Sequence, residues 1–508
     1  MHFCKTMVGE GVDTMQQLGF DNSKYVKLQS QNIRDRIEQF GGKLYLEFGG
    51  KLFDDYHASR VLPGFSPDSK VKMLLEMKDV AEIVIAISAD DIERSKRRGD
   101  LGITYEDETL RLIDAFRGIG LYLGSIVITH YRGQTIADQF QKRLEMLGIK
   151  VYKHYIIPDY PSNVPFIVSD EGFGRNDYIK TERSLVVVTA PGPGSGKMAT
   201  CLSQLYHEHK QGVNAGYAKF ETFPIWNLPL KHPVNLAYEA ATADLDDVNM
   251  IDPFHLEAYG ITTVNYNRDV EIFPVLEAMF RRMYGESPYK SPTDMGVNMI
   301  GKCITDDEVC RKAAMQEIIR RYYASACSVH QGLSDPAEVR RIELVMSTLN
   351  IGAAIRPTVA AALARAEETG GPAVAIELHD GRVITGKNSS LLGAASACLM
   401  NALKALAGID KKMLLIPPSI IEPIQHLKIE HLGNHNPRLH TDELLIALSI
   451  CAVTNPIAGY ALDQLGKLKG CEAHSSVILS HVDEELFKKL GLNLSCEPRY
   501  QVKKLFHK

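Results

Sequence analysis

The sequence predicts an α/β fold: a Rossmann-like, mainly parallel sheet with helices on both faces, plus a smaller C-terminal α/β domain. Three observations predict it. Apolar, β-branched runs recur at residues 80–88 (VAEIVIAIS), 124–129 and 185–188. They are continuous rather than alternating, as strands buried on both faces are. Stretches with helical spacing, 106–117 and 134–147, separate them and make βαβ units. The third run passes through a glycine- and proline-rich loop directly into helix-forming sequence, and in open parallel sheets ligands bind beyond the carboxyl ends of strands.

A chain of 508 residues exceeds what one core holds, so two or three domains are expected. Its 45% hydrophobic and 23% charged residues are those of a soluble globular protein. A net charge of −5 with no long basic run argues against general nucleic-acid binding. Segment 1–17 has neither a basic start nor a continuous apolar core, so a cytosolic location is expected. The longest apolar stretch, 444–462, is broken by Thr454, Asn455 and Pro456, so it reads as two buried helices rather than a membrane span. Nine scattered cysteines fit reduced thiols.

Taken in order, residues 1–19 are a poorly patterned lead-in. A helix is predicted at 29–40 and a strand at 43–48, ending in Gly49-Gly50-Lys51. The strand 80–88 ends in Ala89-Asp90-Asp91, acids placed like those of a Walker B strand, whose acid holds Mg²⁺ through water. A helix at 106–117, strands at 124–129 and 151–157 and a helix at 134–147 continue the alternation. Residues 169–176 (SDEGFGRN) form an acidic, glycine-rich turn. The segment 215–269 is dense in polar side chains, and Pro224, Pro229 and Pro233 prevent long helices; it reads as a long irregular, functional segment. Helices follow at 271–284 and 306–330. Ser334-Asp335-Pro336 caps a new helix and marks a boundary, which gives one α/β domain over 20–333 and a helix-rich one over 334–508. In the latter, Asp380-Gly381 between two short β runs signals a hairpin, and 391–407 an alanine-rich helix. Cys471-x-x-His474 lacks the second half of a zinc site, and His207-Glu208-His209 reads as a solvated helix end.

The residues around which this is organised run LVVVTAPGPGSGKMATCLSQLYHEHK, 185–210. Gly192, Gly194, Ser195, Gly196 and Lys197 form a candidate phosphate cradle, with loop N–H groups and a helix N-terminus supplying partial positive charge and Lys197 a full one. The match to Walker A is incomplete. Pro191 stands at the first glycine and Met198 at the magnesium-binding hydroxyl, and Thr200 follows two residues too late. The GPGSGK core resembles the loop of nucleoside monophosphate kinases.

Further candidates surround it. Lys197, Asp252 and His232 are the candidate catalytic groups. Lys219 and Glu221, with Lys51, Asp54 and His57 as an opposite wall, are candidate substrate contacts.

Several longer motifs carry a second resemblance: YLEFGGKLFDDYHASRVLPGF, SDEGFGRNDYIKT, KFETFPIWNLPLKHPVNLAYEAATADL, VNYNRDVEIFP and GCEAHSSVILS. From about Gly19 to Tyr500 the chain resembles a bacterial protein family of this length known as a domain of unknown function. The resemblance implies an α/β protein of the bacterial cytosol with a smaller C-terminal part, and carries over no activity, cofactor or catalytic residue.

The loops therefore set the functional expectation. It is a cytosolic enzyme that binds a nucleotide or phosphorylated metabolite, with or without Mg²⁺, for phosphoryl transfer or nucleotide-dependent ligation. The alternative is a non-catalytic metabolite sensor or an assembly protein with a vestigial loop. The small phosphorylated ligand is the expected partner, together with further copies of the chain, since the apolar C-terminal third suggests a homo-oligomer.

Overall fold

Residues 18–50, 52–53, 55–98 and 102–501 are described by a computed structural model. By contact they fall into two units, one holding 18–239 and 246–313, the other 240–245 and 314–501.

The first unit is built on β1 (Leu44–Phe48), β2 (Ala81–Ser88), β3 (Tyr122–Tyr131), β4 (Lys150–Tyr155), β5 (Leu185–Thr189) and β6 (Gly216–Phe220). A hairpin of β7 (Asn249–Ile251) and β8 (Val264–Tyr266) follows, then the short β9 (Gly296–Val297). The central sheet has seven parallel strands in the order β4-β3-β2-β5-β1-β6-β9. Every residue of β1, β2 and β5 is buried, so these strands have no solvent face, as the continuous apolar runs predict. From β2 the chain works outward to β3 and β4; from β5 it works the other way, to β6 and β9. Because β2 and β5 are neighbours, their carboxyl ends form the topological switch point, where open α/β sheets bind ligands.

One layer of core joins Tyr45, Val186, Val188 and Tyr217 to the helices Lys197–Lys210 and Asn267–Tyr284. The helix Tyr105–Gly118 packs against β2 and β3, and Asn22–Gln39 against β6 and β9.

Two differences from expectation have local causes. The first helix starts at Asn22 rather than near residue 29, because Asp21 caps it by accepting from Lys24 N at 2.9 Å while Tyr25 and Val26 bury one face. The segment 215–269 is not irregular: it contains β6, the helix Pro233–Ala241, the β7–β8 hairpin and the helix Pro253–Tyr259. β6 opens on a glycine and carries Lys219, so its own pattern is weak. Its pairing along all of β1 makes it a strand.

The second unit holds a sheet of β10 (Ala373–Glu377), β11 (Val383–Lys387), β12 (Glu472–Ser475) and β13 (Asn493–Cys496) in the order β11-β10-β12-β13. The predicted hairpin is β10–β11, antiparallel, with Gly381 at φ +80° in its turn. The helices Pro357–Thr369 and Ala394–Ala407 pack on this sheet. The run 444–462 splits into the helices Thr441–Ala452 and Pro456–Leu462 as expected. Leu444, Ala447, Leu448 and Cys451 enter the core, while Ile446, Ile450 and Val453 stay exposed. Among the described residues, no helix is long and apolar enough to cross a membrane.

Candidate functional site

The glycine loop leaves β5 at the switch point and enters the helix Lys197–Lys210 through Gly196, whose φ of +80° closes the turn. The helix is pinned at its far end. Glu208, buried, accepts from Tyr45 Oη at 2.7 Å and Tyr178 Oη at 3.3 Å and pairs with Lys43. Gln204 accepts from Ile179 N at 2.8 Å, and His207 Nε2 meets the Asn176 carbonyl at 2.8 Å. His207 and Glu208 are thus tethers, correcting the expectation of a solvated end for these two, while His209 stays exposed beside the Tyr284 ring.

At the near end the backbone is free. Thr200 N donates to Gly196 O at 2.9 Å, but the amides from Gly194 to Ala199 have no acceptor among the described residues. A run of unpaired N–H groups at a helix N-terminus is able to receive an anion. Lys197 is half-buried beside them and has no ion-pair or hydrogen-bond partner among the described residues.

The end of β3 backs the loop. Thr129 Oγ1 donates to Ser195 O at 2.8 Å and its side chain lies against Gly196, where an added Cβ would meet it at 3.2 Å. Ser195 is fully buried and donates back to Gly192 O at 3.0 Å. Tyr105 covers Gly192 so closely that a Cβ there would stand 2.1 Å from its hydroxyl. His130 follows Thr129 at φ +50°, with Nδ1 3.2 Å from Ser88 Oγ. Asp90, the acid placed like that of a Walker B strand, accepts from Arg132 at 2.6 Å and Gln134 at 3.0 Å.

A second cluster lies at the carboxyl ends of β1 and β6, where Glu47 and Lys219 are register partners. Lys219 Nζ reaches both Asp269 oxygens at 2.6 Å and Glu221 at 2.9 Å. Tyr217 Oη donates to Glu47 at 2.6 Å. Burial pushes the Glu221 carboxyl up to about 7 despite Lys219, and the Asp269 charge adds to the rise. The surrounding carboxylates hold the Lys219 ammonium firmly protonated against its burial.

Two family profiles match the chain, described as the N-terminal and C-terminal domains of unknown function DUF1846; they cover residues 18–350 and 354–506. The chain belongs to the DUF1846 family. The UPF0371 protein of Streptococcus thermophilus (strain ATCC BAA-491 / LMD-9) is 58% identical over 494 residues, which span 97% of this chain and 100% of that relative. The UPF0371 protein of Streptococcus pneumoniae (strain JJA) matches to the same extent. The full-length resemblance read from the motifs is therefore met within DUF1846.

Among the residues predicted for the site, Gly192 to Lys197 form the loop, and Lys219 and Glu221 meet in the cluster. His57 stands edge-on to Phe223 and Tyr238, each at 5.4 Å. Lys51 and Asp54 lie outside the described residues. The other two have structural tasks. His232, buried, bonds Asp307 through Nε2 at 2.9 Å and accepts from Val234 N through Nδ1 at 3.2 Å. Asp252, fully buried, caps Pro253–Tyr259 by accepting from His255 N at 3.0 Å, and its other oxygen takes the Thr293 hydroxyl at 2.6 Å. Among the described residues, no group of three His, Cys, Asp or Glu side chains is arranged to hold a metal ion.

Thr129, Tyr105, Glu47 and Asp269 were not singled out from the sequence. Each sits in an ordinary strand or helix, and only the strand order carries them to the loop or the cluster. Glu47, an acid inside an otherwise apolar strand, is the one whose position carried a signal.

Proposed function

We propose that this DUF1846 protein binds a nucleotide or phosphorylated metabolite through the glycine loop and acts on it by phosphoryl transfer or nucleotide-dependent ligation. The observation that carries the reading is the run of unpaired amides from Gly194 to Ala199, at the switch point and beside the unpartnered Lys197. The first N–H groups of a helix have no intrahelical acceptor, and an anion supplies one to several at once. Lys197 would neutralise charge on the transferred group, since such reactions rest on positioning and electrostatic stabilisation.

The donor set bears on the metal. Met198 offers a thioether where a P-loop offers a hydroxyl, and Mg²⁺ takes oxygen ligands. That favours a second reading, a metabolite sensor whose ligand binds without Mg²⁺. The test is a thermal-shift titration of wild type and Lys197→Ala with inorganic phosphate, sulfate and nucleotides, with and without Mg²⁺. Stabilisation of wild type that weakens in Lys197→Ala is expected. Mg²⁺-dependent stabilisation by a triphosphate supports the enzyme, and Mg²⁺-independent stabilisation the sensor. No anion response in wild type removes the proposal.

A further inference from the structure

The glycine loop and the cluster of Lys219 face the same edge of the sheet. The helix Lys197–Lys210 packs over β1, with Glu208 at Tyr45 and Cys201 in the core with Val188 and Tyr217. Lys197, Cys201 and Glu208 follow one helical stripe, four and then seven residues apart. Glu47 is two residues beyond Tyr45 on the same strand and the same face. At about 1.5 Å per helical residue and about 3.3 Å per strand residue, Lys197 begins about 10 Å beyond Glu47 along the sheet. The helix Asn267–Tyr284 also starts at this edge, with Asp269 in its first turn. A small molecule anchored by its phosphate at the loop therefore reaches the cluster with its other end.

Among the described residues, charge in the cluster does not balance. Glu47, Glu221 and Asp269 stand against the one ammonium of Lys219, all four side chains at least three-quarters removed from water, while the nearby Lys70 is taken up by Asp55 at 2.8 Å. Buried charge without a counter-charge is costly, and a proton on Glu221 partly relieves it in the free protein. An independent observation comes from Tyr266. It is 2% exposed, its hydroxyl has no hydrogen-bond partner among the described residues, and the charges of Glu221, Asp247 and Asp269 act on it. The Tyr160 hydroxyl, within the field of Glu47, is likewise buried and without a partner among the described residues. A wall with excess negative charge and unused hydroxyls is built for a cationic group that also donates hydrogen bonds.

Resting on the phosphate reading of the loop, we propose that the ligand carries a protonated amine, seated against Glu47, Glu221 and Asp269 while its phosphate occupies the amides of Gly194 to Ala199. The substrate class is thus an amino-bearing phosphate ester with nitrogen and phosphorus several bonds apart. Lys219 holds the carboxylates in place, and the ligand ammonium supplies the missing charge, releasing the proton from Glu221.

The test uses matched pairs that differ only in ammonium against hydroxyl. 6-Aminohexyl phosphate is compared with 6-hydroxyhexyl phosphate, and 8-aminooctyl phosphate with 8-hydroxyoctyl phosphate, whose nitrogen reaches about 10 Å or more from phosphorus and stays charged from pH 6 to pH 8. Affinities are measured by calorimetry on the full chain, with inorganic phosphate and Mg²⁺ alone as further arms. In at least one pair the amine should bind ten-fold or more tighter than its twin, and tighter at pH 8 than at pH 6. Glu221→Gln should lose that preference and its pH dependence while keeping its response to inorganic phosphate; Asp269→Asn serves as the second variant. If phosphate stabilises the protein but neither amine exceeds its twin, this proposal falls and the phosphate reading stands. If Mg²⁺ alone binds and Glu221→Gln abolishes it, the cluster is a metal site and the proposal is overturned. If no phosphate compound binds, both readings fall together.

Discussion

Thr129, at the end of β3, donates its hydroxyl hydrogen to the carbonyl oxygen of Ser195 at 2.8 Å. The bond ties the glycine loop to a strand two places away in the sheet. Thr129→Val keeps the branched shape against Gly196 but leaves the Ser195 carbonyl unpaired. A loss of about 1–3 kcal/mol in urea unfolding is expected, with a weaker response to phosphate. Unchanged stability would mean that the loop holds its form without this tie.

Within the loop, charge and shape separate. Lys197→Ala removes a charge-assisted contact worth about 1.5–3 kcal/mol, so phosphate affinity should fall about ten- to a hundredfold, with stability changed by less than about 0.5 kcal/mol because the side chain bonds nothing among the described residues. Gly194→Ala meets open space, at φ +76°, and should cost only about 1–2 kcal/mol of backbone strain. Gly192→Ala drives a methyl into the Tyr105 hydroxyl and should cost more, in both stability and binding. Calorimetry and urea unfolding on the three variants check the order.

Asp252 and His232 should behave as parts of the frame. Asp252→Ala removes a cap and the partner of the Thr293 hydroxyl, so a loss of about 2 kcal/mol in unfolding is expected, with phosphate affinity per folded molecule unchanged. A hundredfold loss of affinity in a variant that still folds would return Asp252 to the site.

Glu221 makes stability depend on pH in a stated direction. It is faced by Lys219 on β6, Asp269 on the helix Asn267–Tyr284, Glu47 on β1, and Tyr238 and Tyr266. Its folded value of about 7 lies above the ordinary 4.5. Between those values the folded chain keeps a proton that the unfolded chain has released. The stability it contributes is fully present below about 4.5 and is lost as pH rises through about 7. Urea unfolding of wild type and Glu221→Gln across this range should differ by a slope of at most one proton, with the variant flatter; equal slopes would show that Glu221 is ionised throughout.

Ile446, Ile450 and Val453 follow one helical stripe, and no charged residue falls between Leu444 and Leu462. Identical copies meeting along it encounter no like-charge repulsion. Light scattering should give a mass above that of one chain at micromolar concentration, reduced by Val453→Glu. A monomer mass for wild type would contradict the expected homo-oligomer.

The alternation of strand and helix was legible because β2, β3 and β5 are apolar runs that nothing but burial on both faces explains. The loop was legible because glycines and prolines punctuate it so densely. β6 was not, since GYAKF acquires its meaning from pairing with β1. Nor was the composition of the cluster. Glu47, Lys219 and Asp269 are separated by 172 and 50 residues along the chain and meet only through the register of two strands and the first turn of one helix. His232 and Asp252 were singled out for their chemistry, and burial shows what they hold.

β5 lies between β2 and β1 although 96 residues of chain (89–184) separate it from β2 and 136 (49–184) from β1. The first two strands therefore have no direct pairing; they join only when β5 arrives to bridge them. Contacts this distant in sequence carry a large closure entropy and form slowly, and the glycine loop is the continuation of the strand that makes them. A nascent chain stalled before residue 190 has no cradle at all, and a released chain gains one only as the whole sheet closes. A ligand of the loop would therefore bind only a chain whose sheet has closed, and would stabilise the one strand on which both halves of the sheet depend.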